Sequence, residues 1–142
     1  MIQFFLEDSS FDLSLLSKVP SWIEEVVVLE HHRLHTLNYI FCSDDYLLNI
    51  NRAYLQHDYY TDIITFDQRD HQNEALEGDI FISVDRVAEN SQERQSVMLH
   101  ELLRVMIHGV LHLIGYDDKD EATQTMMRAL EDRYLALYFS RS

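Results

Sequence analysis

The chain has 142 residues, 46% of them hydrophobic, with one proline and three glycines. That composition describes a compact globular chain able to bury a core rather than a disordered one. Eleven basic residues against twenty-five acidic ones give a formal charge of −14, which repels polyanions at long range and disfavours a nucleic-acid partner unless the few cations cluster.

No run reaches the roughly 18 apolar residues that cross a bilayer. Residues 1–6 lack a basic leader region, and Cys42, the single cysteine, leaves no internal disulfide. The expectation is one soluble, cytoplasmic domain over residues 1–142 with no membrane partner.

In chain order, "IQFFLE" (2–7) reads as a short strand. After Pro20, Ser21 is placed to cap a helix running to about Glu30. "TLNYIFCS" (36–43) has the β-branched and aromatic content of a second strand, with Cys42 as a buried structural thiol. Ser43, Asp44 and Asp45 suit the positive end of a helix dipole, and Tyr46 to Leu55 continues as helix. "TDIITFD" (61–67) and "GDIFISVD" (78–85) are further strands, separated by the polar loop "QRDHQNEALE". A helix follows from about Arg86. Ser96 to Ile114 is apolar on nearly every side, which predicts a helix largely inside the protein, and Gly115 can end it in a left-handed conformation. Asp120 to Phe139 forms a last helix with Met126, Met127, Leu130, Tyr134 and Leu137 facing inward. About four strands and five helices make an α+β domain, a small mixed sheet covered by helices.

The stretch "HGVLHLIGYDD" (108–118) carries the chemistry. Four residues along a helix rise about 6 Å and turn slightly more than once, so His108 and His112 share a face at the end of the buried helix. A chain reversal at Gly115 lets Asp118 return as a third ligand, with Asp117 as its competitor. Three protein ligands with a fourth position left to water is the pattern of a catalytic zinc site, where the ion acidifies water and polarises the group under attack. The spacing alone leaves an alternative open, namely two core histidines each hydrogen-bonded to a neighbour. His31 and His35 in "HHRLH" have the same spacing without an apolar helix or a following carboxylate, and read as surface histidines. Gly109 costs about 1 kcal/mol against alanine inside a helix and suggests close approach of backbone or substrate. It also stands where a zinc peptidase places its general-base glutamate, which counts against a peptidase.

"HGVLHLIGYDD", together with "NRAYLQHDYYTDIITFD" (51–67), "EGDIFISVD" (77–85) and "LLRVMIHG" (102–109), resembles the YbeY-type endoribonucleases, the ribosomal RNA maturation factors. The resemblance covers roughly residues 36 to 137. It implies a zinc-dependent, single-strand-specific endoribonuclease that matures small-subunit ribosomal RNA and serves ribosome quality control, with ribosomal RNA and the small subunit as partners. Matched position by position, the ligands are His108, His112 and Asp118, the last in place of the family's usual histidine. Two histidines and a carboxylate remain a competent set for one Zn2+. The carboxylate lowers the charge of the ligand set by one, which predicts weaker acidification of water and easier acceptance of iron or manganese. A second departure is Leu55, which stands where the family carries a basic residue; His57 follows it. Arg52, Arg104 and Lys119 are the basic residues nearest the motifs, and Asp62 and Asp79 take turn or cap roles. The general acid and base are not identified. Two alternatives stay open: a ribosome-assembly or protein-binding factor with a mainly structural metal, and a metal-dependent hydrolase of a non-RNA substrate.

Overall fold

Strict alternation along the fourth strand sets the layering. The computed structural model describes residues 1–141. Its strands are β1 (Ile2–Leu6), β2 (Leu34–Cys42), β3 (Ile63–Asp67) and β4 (Leu76–Ser83), in the sheet order β1-β2-β4-β3. β1, β2 and β4 run parallel, and β3 is an antiparallel edge strand against β4. Leu76, Ile80 and Ile82 of β4 point into the main core, while Phe81 packs with Phe66, Ile64 and Cys42 on the other face. Period-two side chains thus give the sheet two covered faces.

The helices are α1 (Val19–Leu29), α2 (Asp44–Leu55), α3 (Val84–Glu93), α4 (Met98–Ile114) and α5 (Glu121–Ser140), with a single 3-10 turn at Leu13–Leu16. α2 covers one face through Leu47, with Tyr46 and Ile50 packed beside it. α4 lies in the main core on the other face, where Leu102, Leu103, Met106, Ile107, Val110 and Leu111 are fully buried. The α+β architecture of a mixed four-stranded sheet and five α-helices, with a buried α4, matches the reading of the sequence. No single helix among the described residues is long and apolar enough to cross a membrane.

Local chemistry accounts for most helix starts. The Ser43 hydroxyl accepts from the Tyr46 amide, with Asp44 and Asp45 in the first turn of α2. Asp120 and Thr123 form a reciprocal capping box at α5. α1 departs from expectation: Lys18 is its N-cap and Pro20 lies in the first turn, so the helix begins before Ser21. The fixed φ of proline suits a first turn, where its missing N–H costs nothing. Ser21 instead donates its hydroxyl to the Lys18 carbonyl at 3.3 Å. Met126 is a second correction, at 58% exposed; the inward stripe of α5 runs through Met127, Glu131, Tyr134 and Tyr138.

Gly109 faces the sheet rather than a substrate. A Cβ there would lie 2.9 Å from Ile63 Cδ1 and 3.1 Å from Ile80 Cγ2, so the missing side chain lets α4 settle onto β3 and β4. Cys42 is buried and its thiol is pushed up to about 12, chiefly by burial and then by nearby carboxylates, consistent with a structural role.

Candidate metal centre

α4 presents His108 and His112 one turn apart near its C-terminus, with imidazole centroids 4.5 Å apart. The helix ends at Gly115, whose φ of +126° is strained for any residue with a Cβ. Its amide donates to the Leu111 and His112 carbonyls, and the chain turns back over residues 116–120. Two anchors fix that return. The Tyr116 hydroxyl donates to Glu30 Oε1 at 2.7 Å, and the Tyr134 hydroxyl of α5 donates to the other oxygen of the same carboxylate.

The return places Asp118 against both imidazoles. His108 Nε2 lies 3.5 Å from Asp118 Oδ2, and His112 Nε2 lies 3.5 Å from Asp118 Oδ1. One donor atom from each residue lies within 4.8 Å of the others, and among the described residues this is the group of that kind. A tetrahedral ion with ligands at about 2.1 Å spaces them roughly 3.4 Å apart, so the donors stand near the spacing a zinc-sized ion requires. Asp117 is turned into its own loop, where its Oδ1 accepts from the Asp118 amide at 2.8 Å. His31 and His35 are not brought together as a helical pair: His31 follows α1 with φ of +62°, and His35 lies in β2.

Behind His108 stands a carboxylate that the motif does not contain. Glu131 of α5, 5% exposed, accepts from His108 Nδ1 at 2.7 Å. An ionised carboxylate only accepts, so Nδ1 carries the proton and the Nε2 lone pair is free to face Asp118. Arg104 donates to Glu131 at 3.0 Å and to Asp132 at 2.7 Å. Burial works against charge on His108, but the Glu131 hydrogen bond and the surrounding carboxylates outweigh it and raise the imidazole above its usual range. Burial likewise opposes ionisation of Glu131, yet the His108 and Arg104 hydrogen bonds hold its carboxyl below the usual range.

A cavity of about 250 Å³ opens beside His108 and Asp118, lined also by Asp62, Arg94, Glu101 and Arg128. Burial pushes the Asp62 carboxyl up, although His108 opposes the shift. Arg94 is ion-paired with Glu101, a buried carboxylate in the first turn of α4. Arg128 has no carboxylate partner among the described residues, and it is the one arginine of the cavity wall in that state. Of the basic residues nearest the motifs, Arg104 lines the cavity but is fully paired. Arg52 lies elsewhere, paired with Asp58, and Lys119 does not line the cavity. Asp79 does not line it either and accepts from Asn38 and Gln68. Reading the sequence missed Glu131, Arg128 and the place of Asp62 in this wall. Glu131 did carry a signal: it falls four residues from Met127 on the inward stripe of α5, where a carboxylate must have a partner.

Comparison with known proteins gives the family. The family model described as endoribonuclease YbeY matches residues 6–138. An endoribonuclease YbeY of Cytophaga hutchinsonii is 49% identical over 136 residues, covering 96% of this chain and 94% of its own. One of Flavobacterium psychrophilum is 43% identical, covering 97% and 96%. The solution structure of the Thermotoga maritima protein TM1509 superposes with a TM-score of 0.71 at 28% identity, over 98% of this chain and 89% of that one. With sequence similarity along nearly its whole length and the same fold, the chain belongs to the endoribonuclease YbeY family.

Proposed function

We propose that this chain is a single-strand-specific endoribonuclease that uses one Zn2+, held by His108, His112 and Asp118, in maturing small-subunit ribosomal RNA in the cytoplasm. The observation that carries the reading is the convergence of three donor atoms at ligand spacing, backed by a buried carboxylate on His108. When bound, the ion supplies Lewis-acid stabilisation of the phosphate under attack and makes a nucleophile available from water near neutral pH. Glu131 holds His108 in the tautomer that offers Nε2, and Arg104 holds Glu131. Arg128 meets a phosphate oxygen, since its guanidinium is free of the carboxylates that occupy Arg94 and Arg104. The donor side chains are 20%, 30% and 38% exposed for His108, His112 and Asp118, which suits a site open to substrate better than a closed structural one.

The test is metal content together with cleavage of single-stranded and structured RNA by the wild type, His112→Ala and Asp118→Ala. Stoichiometric zinc and single-strand cleavage in the wild type are expected, with both lost in His112→Ala and strongly reduced in Asp118→Ala. Stoichiometric metal without RNA cleavage, and normal ribosomal RNA ends in cells depleted of the protein, defeat the nuclease reading.

A further inference from the structure

A second cavity, of about 240 Å³, adjoins the metal-site cavity and shares Ile63 with it. Its wall includes Asn51, Leu55, His57, Tyr59 and Thr61. The segment between α2 and β3 that forms its rim is rich in exposed rings, with Tyr59 55% and Tyr60 50% exposed. Exposed rings gathered beside a candidate active site mark a contact surface rather than scattered surface apolarity.

The rings differ in how far their own chain already occupies them. The Tyr60 hydroxyl donates to Asp45, and the Arg86 guanidinium lies 5.4 Å from its ring centre. Tyr54 packs its edge on Phe66 at 6.0 Å. Tyr59 is the one whose neighbour turns it into a shelf. It stacks on His57 with centroids 5.2 Å apart and planes 21° apart, and a 3.0 Å hydrogen bond joins its hydroxyl to His57 Nδ1.

The backbone under this pair is fixed from below. Asn51, 1% exposed, donates its side-chain amide to the Tyr59 carbonyl at 2.9 Å, and the His57 amide donates to the Asn51 carbonyl at 3.1 Å. The shelf is therefore held in place before anything binds, which lowers the ordering cost of binding. Charge restricts the occupant. Arg52 is engaged by Asp58, and Arg86, beside Tyr60, by Asp44 and Glu89, so the rim offers a backbone phosphate little. A π-face binds a nucleobase whatever the charge of the chain, and stacking of this kind needs an unpaired base.

We propose that Tyr59, backed by His57, is a stacking platform for one base of single-stranded RNA flanking the cleavage site, an inference that rests on the RNA-cleaving reading above. The platform lets a chain of charge −14 hold RNA by ring contact in the adjoining cavity while Arg128 meets phosphate in the metal-site cavity.

The test uses the full, zinc-loaded chain and a fluorescently labelled single-stranded oligoribonucleotide, read by anisotropy and, in parallel, by cleavage. Tyr59→Ala is expected to weaken binding about tenfold, the size of losing one stacked base, while Tyr59→Phe binds as the wild type does. Scanning an abasic nucleotide through the oligomer is expected to reveal one position that weakens the wild type by a similar factor and leaves Tyr59→Ala unaffected. Unchanged affinity in Tyr59→Ala, or an abasic scan that weakens both proteins alike, overturns the platform. RNA bound through Tyr59 but never cut overturns the nuclease reading and leaves the platform standing. RNA cut by Tyr59→Ala with unchanged KM does the reverse, and a wild type that neither binds nor cuts overturns both. If Tyr59→Ala fails to fold, Tyr59→Leu, which keeps an apolar side chain without a ring, replaces it in both measurements with the same outcomes.

Discussion

Glu131 sits 5% exposed on the inner stripe of α5, where an unpaired charge would cost several kcal/mol. His108 and Arg104 supply the pairing, at 2.7 and 3.0 Å, and the same contacts aim the His108 lone pair outward at Asp118. The residue thus links stability to ligand orientation, which separates its role from that of an ordinary buried ion pair. Glu131→Gln keeps the shape but weakens the acceptor, and is expected to lower zinc affinity roughly 10- to 100-fold with the protein still folded. Competition against a chelator of known affinity measures this directly. Affinity equal to the wild type would reduce Glu131 to a packing role. The histidines and Asp118 were legible in the sequence because one short motif holds them. The contacts of Glu131 and Asp62 were not: the stripe of α5 shows only that Glu131 needs a partner, and nothing local specifies which group of another element supplies it.

At the scale of elements, the last turn of α4 carries His112 and must be kept from fraying. Gly115 ends that turn, and its effect was visible in the sequence. The second device was not: Arg69, in what reads as a polar loop, has a side chain only 1% exposed and donates to the Leu113 carbonyl at 2.6 Å. A cation on the closing carbonyls of a helix also suits its dipole. Asp67, at the end of β3, orients Arg69 through bonds of 3.0 and 2.8 Å. Hydrogen bonding from Arg69 holds the Asp67 carboxyl below the usual carboxylate range. A carboxyl whose pKa is lower folded than unfolded stabilises the fold above its unfolded value, about 3.9, and loses that contribution as pH falls through the folded value. Asp67→Asn is therefore expected to destabilise the protein by about 1 kcal/mol at pH 7, since the carboxylate is one-third exposed and partly screened. Melting curves from pH 7 downward should show the two proteins converging below pH ~4. A difference that persists undiminished in acid would mean that the aspartate acts through packing and not charge. Long-range contacts of this kind decide where loops attach, which is why the strand and helix pattern was readable and the clamp was not.

At the scale of the whole molecule, a charge of −14 and an RNA substrate pull in opposite directions. Of the charged side chains on the metal-site cavity, Asp62, Glu101, Asp118 and Glu131 are acidic, and Arg94, Arg104 and Arg128 are basic. Two of the three arginines are neutralised by Glu101 and Glu131. Only a divalent ion and Arg128 then remain to attract phosphate, while the acidic surroundings favour capture of the ion itself. The chain should accordingly bind RNA through few ionic contacts, with a shallow dependence on salt. For single strands, log affinity falls with log salt at a slope of about −0.7 per neutralised phosphate. Arg128→Ala is expected to weaken RNA binding and to make that slope shallower by about 0.7, one phosphate's worth, while zinc content and melting temperature hold because no intramolecular ion pair is lost. Titrations of a labelled single strand at several salt concentrations give the slope. A steep wild-type slope that Arg128→Ala leaves untouched would place the RNA on another surface of the molecule. A slope that shallows as expected would show that Arg128 carries a phosphate contact at the metal-site cavity, whose other two arginines are paired with Glu101 and Glu131.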